Sequence, residues 1–333
     1  MLAECNRNSL KNYIINLEVT NKCNLNCFFC RAEANKHLEN ELTKENIYDL
    51  FKDLKKMGVS HISITGGEPL VRKDLPEIID IGSKMGFKFS ISTNGTLIKT
   101  VPISMLKKIK PIRISLDAAR AELHNKMRGS KDAFKKTIEG VEYLVSHNIF
   151  PLLRFTAHRG NSMEVLPFIK LASGLKIKVI KINRIIPILG CVFNAKEQLT
   201  PKEYKTVLVR ASNVAKKYGI ELSSDDPITF KLFKNVKNCK FGGCAAGIVH
   251  IHINSRGEIF PCQYLPIRLG SIRKDKIYNI IEKKDIRNFF TNVRFNIQGK
   301  CRSCSYKMLC GGCRAAAFSV RENLLDADSM CFN

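Results

Sequence analysis

Strand-like and helix-like stretches alternate six times in the first 187 residues, and that rhythm constrains the fold of this 333-residue chain more than any other feature. YIINLEV (13–19), HISIT (61–65), FKFSIST (87–93), IRISL (112–116), FPLLRFT (150–156) and KIKVIKINRII (176–186) read as strands. LTKENIYDLFKDLKKMG reads as a helix. Thr43 is placed to cap it, Ile47, Phe51 and Leu54 share one face, and Gly58 stops it. Further helices are expected from about Asp74 to Met85, near 131–147 and near 163–173, with another beginning near Pro201. Repeated strand–helix units imply a parallel sheet with right-handed crossovers. Six are too few to close an eight-fold barrel, so the expected fold is α/β, a partial (β/α)6 TIM-type barrel over 1–199. A linking helical segment would occupy 200–238. In barrels of this kind chemistry gathers at the C-terminal strand ends. Cys23, the TGGEP turn, TNG and SLD all follow strand-like runs and should share one rim.

The texture changes after about residue 235. Residues 239–333 hold eight of the thirteen cysteines, with few strong helix signals and a hairpin pattern at IVHIHINSRGEIFPC. A second, cysteine-framed domain is expected there. The start of the chain has no basic segment followed by an apolar one, and no apolar run approaches the roughly 20 residues of a membrane span. A cytoplasmic protein without membrane association is expected, and cytosolic cysteines point to metal before disulfides. The formal charge is +25, but the lysines are scattered without basic blocks, so a solvated surface is favoured over nucleic-acid binding.

Cys23, Cys27 and Cys30 form a C-x3-C-x2-C run. A four-iron cluster has four corners, and three thiolates from one loop leave one corner free. The competing reading is a structural zinc site completed by a distant cysteine. At the end of the next strand, Gly66 and Gly67 permit close approach of a ligand, and Glu68 brings acceptors for an amino group. A plain strand-to-helix turn is the alternative there.

Together these residues resemble the radical S-adenosylmethionine (SAM) superfamily, whose mark is C-x3-C-x-(aromatic)-C, with Phe29 in the aromatic place, followed by a GGEP turn. The resemblance implies that Cys23, Cys27 and Cys30 hold a 4Fe-4S cluster whose free corner chelates SAM. Reductive cleavage of SAM then gives methionine and a 5′-deoxyadenosyl radical, which abstracts a hydrogen atom. It also implies that Gly66, Gly67 and Glu68 receive the methionine amino group. Thr93, Asn94, Ser115 and Asp117 fall where the family places ribose and sulfonium contacts, and Arg154 is a partner for the methionine carboxylate.

The C-terminal array resembles the SPASM extension of such enzymes, against a pair of zinc-ribbon sites as the alternative. By that resemblance Cys239, Cys244, Cys262 and Cys313 would hold one auxiliary 4Fe-4S cluster. Cys301, Cys304, Cys310 and Cys331 would hold another. The two-residue spacing before Cys313 departs from the three usual in peptide-modifying members. CRAEA (30–34), GGEPLVRKDL (66–75), STNGTLI (92–98), LRFTAHRGN (153–161) and GKCRSCSYKMLCGGCRAAAF (299–318) resemble the tetrapyrrole-modifying branch, of alternative haem synthase and didecarboxysirohaem deacetylase type. That branch implies decarboxylation or deacetylation of tetrapyrrole side chains in haem biosynthesis, with auxiliary clusters taking or relaying electrons. A low-potential donor such as ferredoxin or flavodoxin, and an anionic tetrapyrrole substrate, would be its partners. The alternatives are a maturase acting on a peptide substrate and, in another class, a non-catalytic iron–sulfur or zinc protein binding nucleic acid. Cys5 and Cys191 read as ordinary thiols. His158 and Arg159 are candidates to face a substrate, and His250 and His252 read as pair-facing or solvated.

Overall fold

The computed structural model describes residues 13–186, 197–230, 232, 243–283 and 285–332. Six strands stand where the periodicity puts them: β1 (Ile14–Glu18), β2 (His61–Thr65), β3 (Lys88–Thr93), β4 (Ile109–Ser115), β5 (Leu152–Ala157) and β6 (Val179–Arg184). Each pairs in parallel with the next. The helices between them are α1 (Lys44–Lys56), α2 (Leu75–Lys84), α3 (Ile103–Lys107), α4 (Ala121–Arg128), α5 (Ala133–Ser146) and α6 (Val165–Gly174). Thr43 caps α1 as expected: its hydroxyl accepts from the Asn46 amide, and the Asn46 side chain accepts from the Thr43 amide.

Alternation along each strand separates two faces. Ile15, Leu17, Ile62, Ile64, Phe89, Ile91, Ile112, Ile114, Leu153, Phe155, Ile180 and Ile182 are all buried in one core. The register aligns the alternate residues across the sheet: Asn16 with Ser63 and Ser90, Ser92 with Arg113, and Ser115 with Arg154 and Lys181. Parallel strands are usually apolar on both faces. Here one face is polar from edge to edge, and it is the face toward the rim cavity.

The sheet runs past the six expected strands in both directions. α7 (Pro201–Lys217) leads to β7 (Glu221–Ser223), which pairs in parallel with β6. The expected linking helical segment therefore carries an additional strand after its helix, and three residues of strand are too short to recognise from the sequence. At the other edge β8 (His250–Ile253) pairs in parallel with β1, β9 (Glu258–Phe260) pairs antiparallel with β8, and β10 (Gly270–Ser271) pairs with β9. The order is β10-β9-β8-β1-β2-β3-β4-β5-β6-β7. The expected hairpin is present, but it continues the barrel sheet and covers the β1 edge, which would otherwise offer unpaired amides and carbonyls. α8 (Ile286–Phe295), α9 (Lys307–Cys310) and α10 (Arg314–Arg321) complete the C-terminal region. Leu265, Ile286, Phe290, Ala315 and Ala316 form its own small core. Among the described residues, no helix is long and apolar enough to cross a membrane.

Candidate active site

Cys23, Cys27 and Cys30 line a cavity of about 190 Å3 at the C-terminal strand ends, together with Phe29, Gly66, Gly67, Thr93, Asn94, Ser115 and Arg154. The loop that carries them is fixed by its own amides. The Asn35 side chain accepts from Cys23 N at 2.8 Å and donates to Cys23 O at 3.1 Å, and Asn21 Nδ2 donates to Ala32 O at 2.7 Å. Each sulfur accepts one N–H: Leu25 N to Cys23 at 3.4 Å, Ala34 N to Cys30 at 3.5 Å, and Arg128 Nη1 to Cys27 at 3.6 Å. Burial pushes the Cys23 thiol up to about 12 and raises that of Cys27, against the pull of the Arg128 charge. Metal must displace these protons, because thiolates are the ligands.

The GGEP turn and the cysteine loop touch through backbone. A Cβ on Gly66 would stand 2.3 Å from Thr20 O, and one on Gly67 would stand 2.5 Å from both Asn21 O and Lys22 O. The glycines thus let two loops meet as well as bordering the cavity. Glu68 departs from its expected role: it is fully buried and is not among the cavity-lining residues. One carboxylate oxygen accepts from Leu70 N (3.0 Å) and the Thr93 hydroxyl (2.8 Å), and the other from Asn94 N (2.7 Å). The turn is therefore riveted to the end of β3. The shape a ligand meets there is set by Thr93 and Asn94, which do line the cavity.

Asp117 is likewise behind the wall. It is fully buried, accepts from Thr156 N at 2.7 Å, and holds Arg128 in a buried ion pair. Arg128 then reaches the cavity, its guanidinium 5.4 Å from the Phe29 ring centroid. Arg128 is a site residue that motif reading missed. Its signal was only its place eleven residues after SLD, with the glycine Gly129 packed against Asn26 O, where a Cβ would come within 2.4 Å. His158 is buried behind Phe28 and Phe29, with ring centroids 5.7 and 6.2 Å away, and is not among the residues lining the cavity. His252 is buried and hydrogen-bonded to Asn16 rather than solvated.

Four guanidiniums line the cavity: Arg31, Arg128, Arg154 and Arg184. Three are matched by buried carboxylates. Arg31 pairs with Glu18, Arg128 with Asp117, and Arg184 with Asp226 and Asp328. Arg154 makes no ion-pair contact with a described residue; its charge helps to hold the Asp225 carboxyl, the partner of Lys181, below its ordinary value from farther away. A second cavity of about 220 Å3 adjoins the first and shares Arg31, Ala32, Gln263 and Tyr264 with it.

In the C-terminal region Cys301, Cys304, Cys310 and Cys331 line one narrow cavity with Ile228, Phe230 and Tyr306. Cys310 accepts from Gly312 N at 3.3 Å, and burial pushes it up to about 12. Burial pushes Cys262 up to about 12 and raises Cys313 well above its ordinary value, and the charge of Cys244 adds to both shifts. Cys239 lies outside the described residues, as do Cys5 and Cys191. Among the described residues, no three His, Cys, Asp or Glu side chains are gathered as a single metal ion would need. Soft thiolate donors spread around a cavity, several of them accepting N–H groups, suit a multi-atom iron–sulfur cluster. The cysteine loop fits the open-corner case and the four-cysteine cavity the fully ligated one.

The family model of the radical SAM superfamily matches residues 17–183, and an iron–sulfur cluster-binding (SPASM) model matches residues 244–305. The chain belongs to the radical SAM superfamily; it is an enzyme that uses SAM, a 4Fe-4S cluster and auxiliary iron–sulfur binding. Along nearly its whole length it is similar to the AdoMet-dependent heme synthase of Methanosarcina barkeri, at 28% identity covering 96% of this chain and 95% of that one. The AdoMet-dependent heme synthase of Oleidesulfovibrio alaskensis is 29% identical, covering 96% and 86%. In fold, SuiB of Streptococcus suis bound to S-adenosylmethionine superposes with a TM-score of 0.79 at 18% identity, covering 98% of this chain and 79% of that one. Native anSMEcpe with bound AdoMet gives 0.76 at 20% identity, covering 96% and 94%.

Proposed function

We propose that this enzyme removes carboxyl groups from the propionate side chains of an iron-coproporphyrin-type tetrapyrrole, the haem-forming reaction. The observation that carries the reading is the cationic wall, in which one guanidinium makes no ion-pair contact with a described residue. Three of these arginines are paired with buried acids; Arg154 makes no such contact and acts on Asp225, the partner of Lys181, only from beyond ion-pair range, so it is the one placed to receive a carboxylate arriving with SAM or substrate. Likeness to heme synthases over 96% of the chain supports a polycarboxylate tetrapyrrole as the substrate. The adjoining second cavity offers the extra room that so large a molecule needs.

When bound at Cys23, Cys27 and Cys30, the cluster with SAM supplies hydrogen-atom abstraction. The chain's own residues do the rest. Thr93, Asn94 and Ser115 border the cofactor's side of the cavity, Glu68 and Asp117 hold that border in place, and Arg128 keeps positive charge beside Cys27. Cys301, Cys304, Cys310 and Cys331 hold one auxiliary cluster in this reading, and Cys244, Cys262 and Cys313, with Cys239, hold the other. A low-potential one-electron donor of ferredoxin or flavodoxin type serves the enzyme. The ten free cysteines among the described residues suit a reducing cytoplasm.

The test is anaerobic. Reconstituted enzyme is given SAM, reductant and iron-coproporphyrin, and the tetrapyrrole is weighed by mass spectrometry beside 5′-deoxyadenosine. Propionate loss as CO2 in step with 5′-deoxyadenosine is expected. An unchanged tetrapyrrole with 5′-deoxyadenosine still formed would send the substrate assignment to didecarboxysirohaem or to peptides and leave the enzyme class standing.

A further inference from the structure

Arg31 occupies the seam between the two cysteine sites. It follows Cys30 in the chain, and its Nη1 donates at 3.2 Å to the carbonyl of Gln263, the residue after Cys262. Its Nη2 donates to Glu18 Oε1 at 2.8 Å, and the guanidinium lies 6.0 Å from the Tyr264 ring centroid. Glu18 comes from the polar face of β1 and is 4% exposed. His252 of β8 brings Nε2 to 3.4 Å from the same Glu18 oxygen. Asn16, also on β1, donates to Gln263 Oε1 at 2.8 Å and meets His252 at 3.3 Å. One guanidinium thus joins the loop of the first cysteine set to the chain beside the second.

Stability alone does not call for such a pair. Ions taken from water lose hydration that their attraction only partly repays, and apolar side chains of similar volume often hold a seam as well. What a buried charge does well is act over distance, since Coulomb interactions inside a protein are less screened than in water.

We propose that Arg31 is a positioning residue that raises the reduction potentials of two iron–sulfur centres together, its single charge favouring the reduced, more negative state of both. Cluster potentials follow net charge, hydrogen bonding to the sulfurs and solvent exposure. Arg31 acts through the first, and Glu18 offsets it. Removing either partner unmasks the charge of the other, so the two changes must shift the potentials in opposite directions. The proposal rests on the reading of Cys30 and Cys262 as ligands of different clusters.

Redox titration of the reconstituted holoenzyme, followed by electron paramagnetic resonance, tests it. Arg31→Gln is expected to lower both midpoint potentials and Glu18→Gln to raise both, with iron and sulfide contents unchanged. A merely structural role would cost iron or thermal stability without moving the potentials of the centres that remain. A shift at one centre only, or at neither, overturns the proposal. If Arg31→Gln fails to hold its clusters, Glu18→Gln decides alone, and unmoved potentials there overturn it equally. Cys262→Ala tests the underlying ligand assignment separately: full iron content and an unaltered auxiliary signal would sink that assignment and this proposal with it.

Discussion

The two cysteine sites are built in opposite ways. In the barrel, three cysteines come from eight consecutive residues on one loop, and they face a cavity of about 190 Å3. In the C-terminal region, the four cysteines around the narrow cavity come from a stretch of thirty-one residues, Cys301 to Cys331, pressed against Phe230 and Tyr306. A compact loop supplies three thiolates from one side and leaves the other side of the metal to a ligand. Donors drawn from separate segments surround the metal and close it off. On the proposed reading the first arrangement serves reaction and the second storage or passage of charge, and polar residues of the sheet, Ser92, Ser115, Arg154 and Thr156, line the first cavity.

Cysteine removal should separate the two sites most sharply. Cys27→Ala is expected to cost about four iron atoms per chain and to stop 5′-deoxyadenosine formation. Cys310→Ala should cost a similar amount of iron yet keep the change that SAM produces in the paramagnetic signal of the barrel cluster. Loss of that SAM response in Cys310→Ala would break the division between a reacting and a storing site.

The junction between the regions should be the next most sensitive place. Arg184, at the end of β6, binds Asp328 through two hydrogen bonds at 3.1 and 2.6 Å, and Asp328 accepts from Cys313 N at 2.9 Å. All three charged members of the Arg184–Asp226–Asp328 cluster are buried. Arg184→Met strands two carboxylates and is expected to destabilise by about 3–5 kcal/mol, read as an earlier denaturant midpoint with loss of auxiliary iron first. Equal loss from both cysteine sites would mean that the regions stand or fall as one unit.

The smallest effect should be confined to the open site. Arg154→Gln removes the one cavity guanidinium without an ion-pair contact to a described residue and is expected to weaken carboxylate binding by about 1.5–3 kcal/mol, roughly 10- to 150-fold, with iron content unchanged. Isothermal titration with SAM and then with the tetrapyrrole would show which carboxylate Arg154 holds, and unchanged affinity for both would remove it from the site.

Much of this was legible in the residues. The six strands, the Thr43 cap, the cysteine loop and its neighbouring turn follow from local periodicity, capping chemistry and spacing, all of which act within a few residues. Even the polar sheet face is written as alternation in FKFSIST and IRISL, although it takes the register to show that those polar positions line up. Glu68 and Asp117 mark the limit. Their position after strands placed them near the rim, but whether a carboxylate faces a cavity or the wall behind it depends on which amides and guanidiniums arrive from other elements.

What the sequence by itself determined is the local chemistry: which stretches become strands and helices, and which loops carry thiols. Only the tertiary structure decided that β8 joins β1, that Arg128 and Arg31 reach the cysteines, and that Arg154 alone among the cavity's arginines lacks an ion-pair partner among the described residues. The physical reason is range. Hydrogen-bond periodicity and turn chemistry are set by near neighbours in the chain, whereas charge matching and edge pairing join residues as far apart as Arg31 and Gln263, which no local pattern relates.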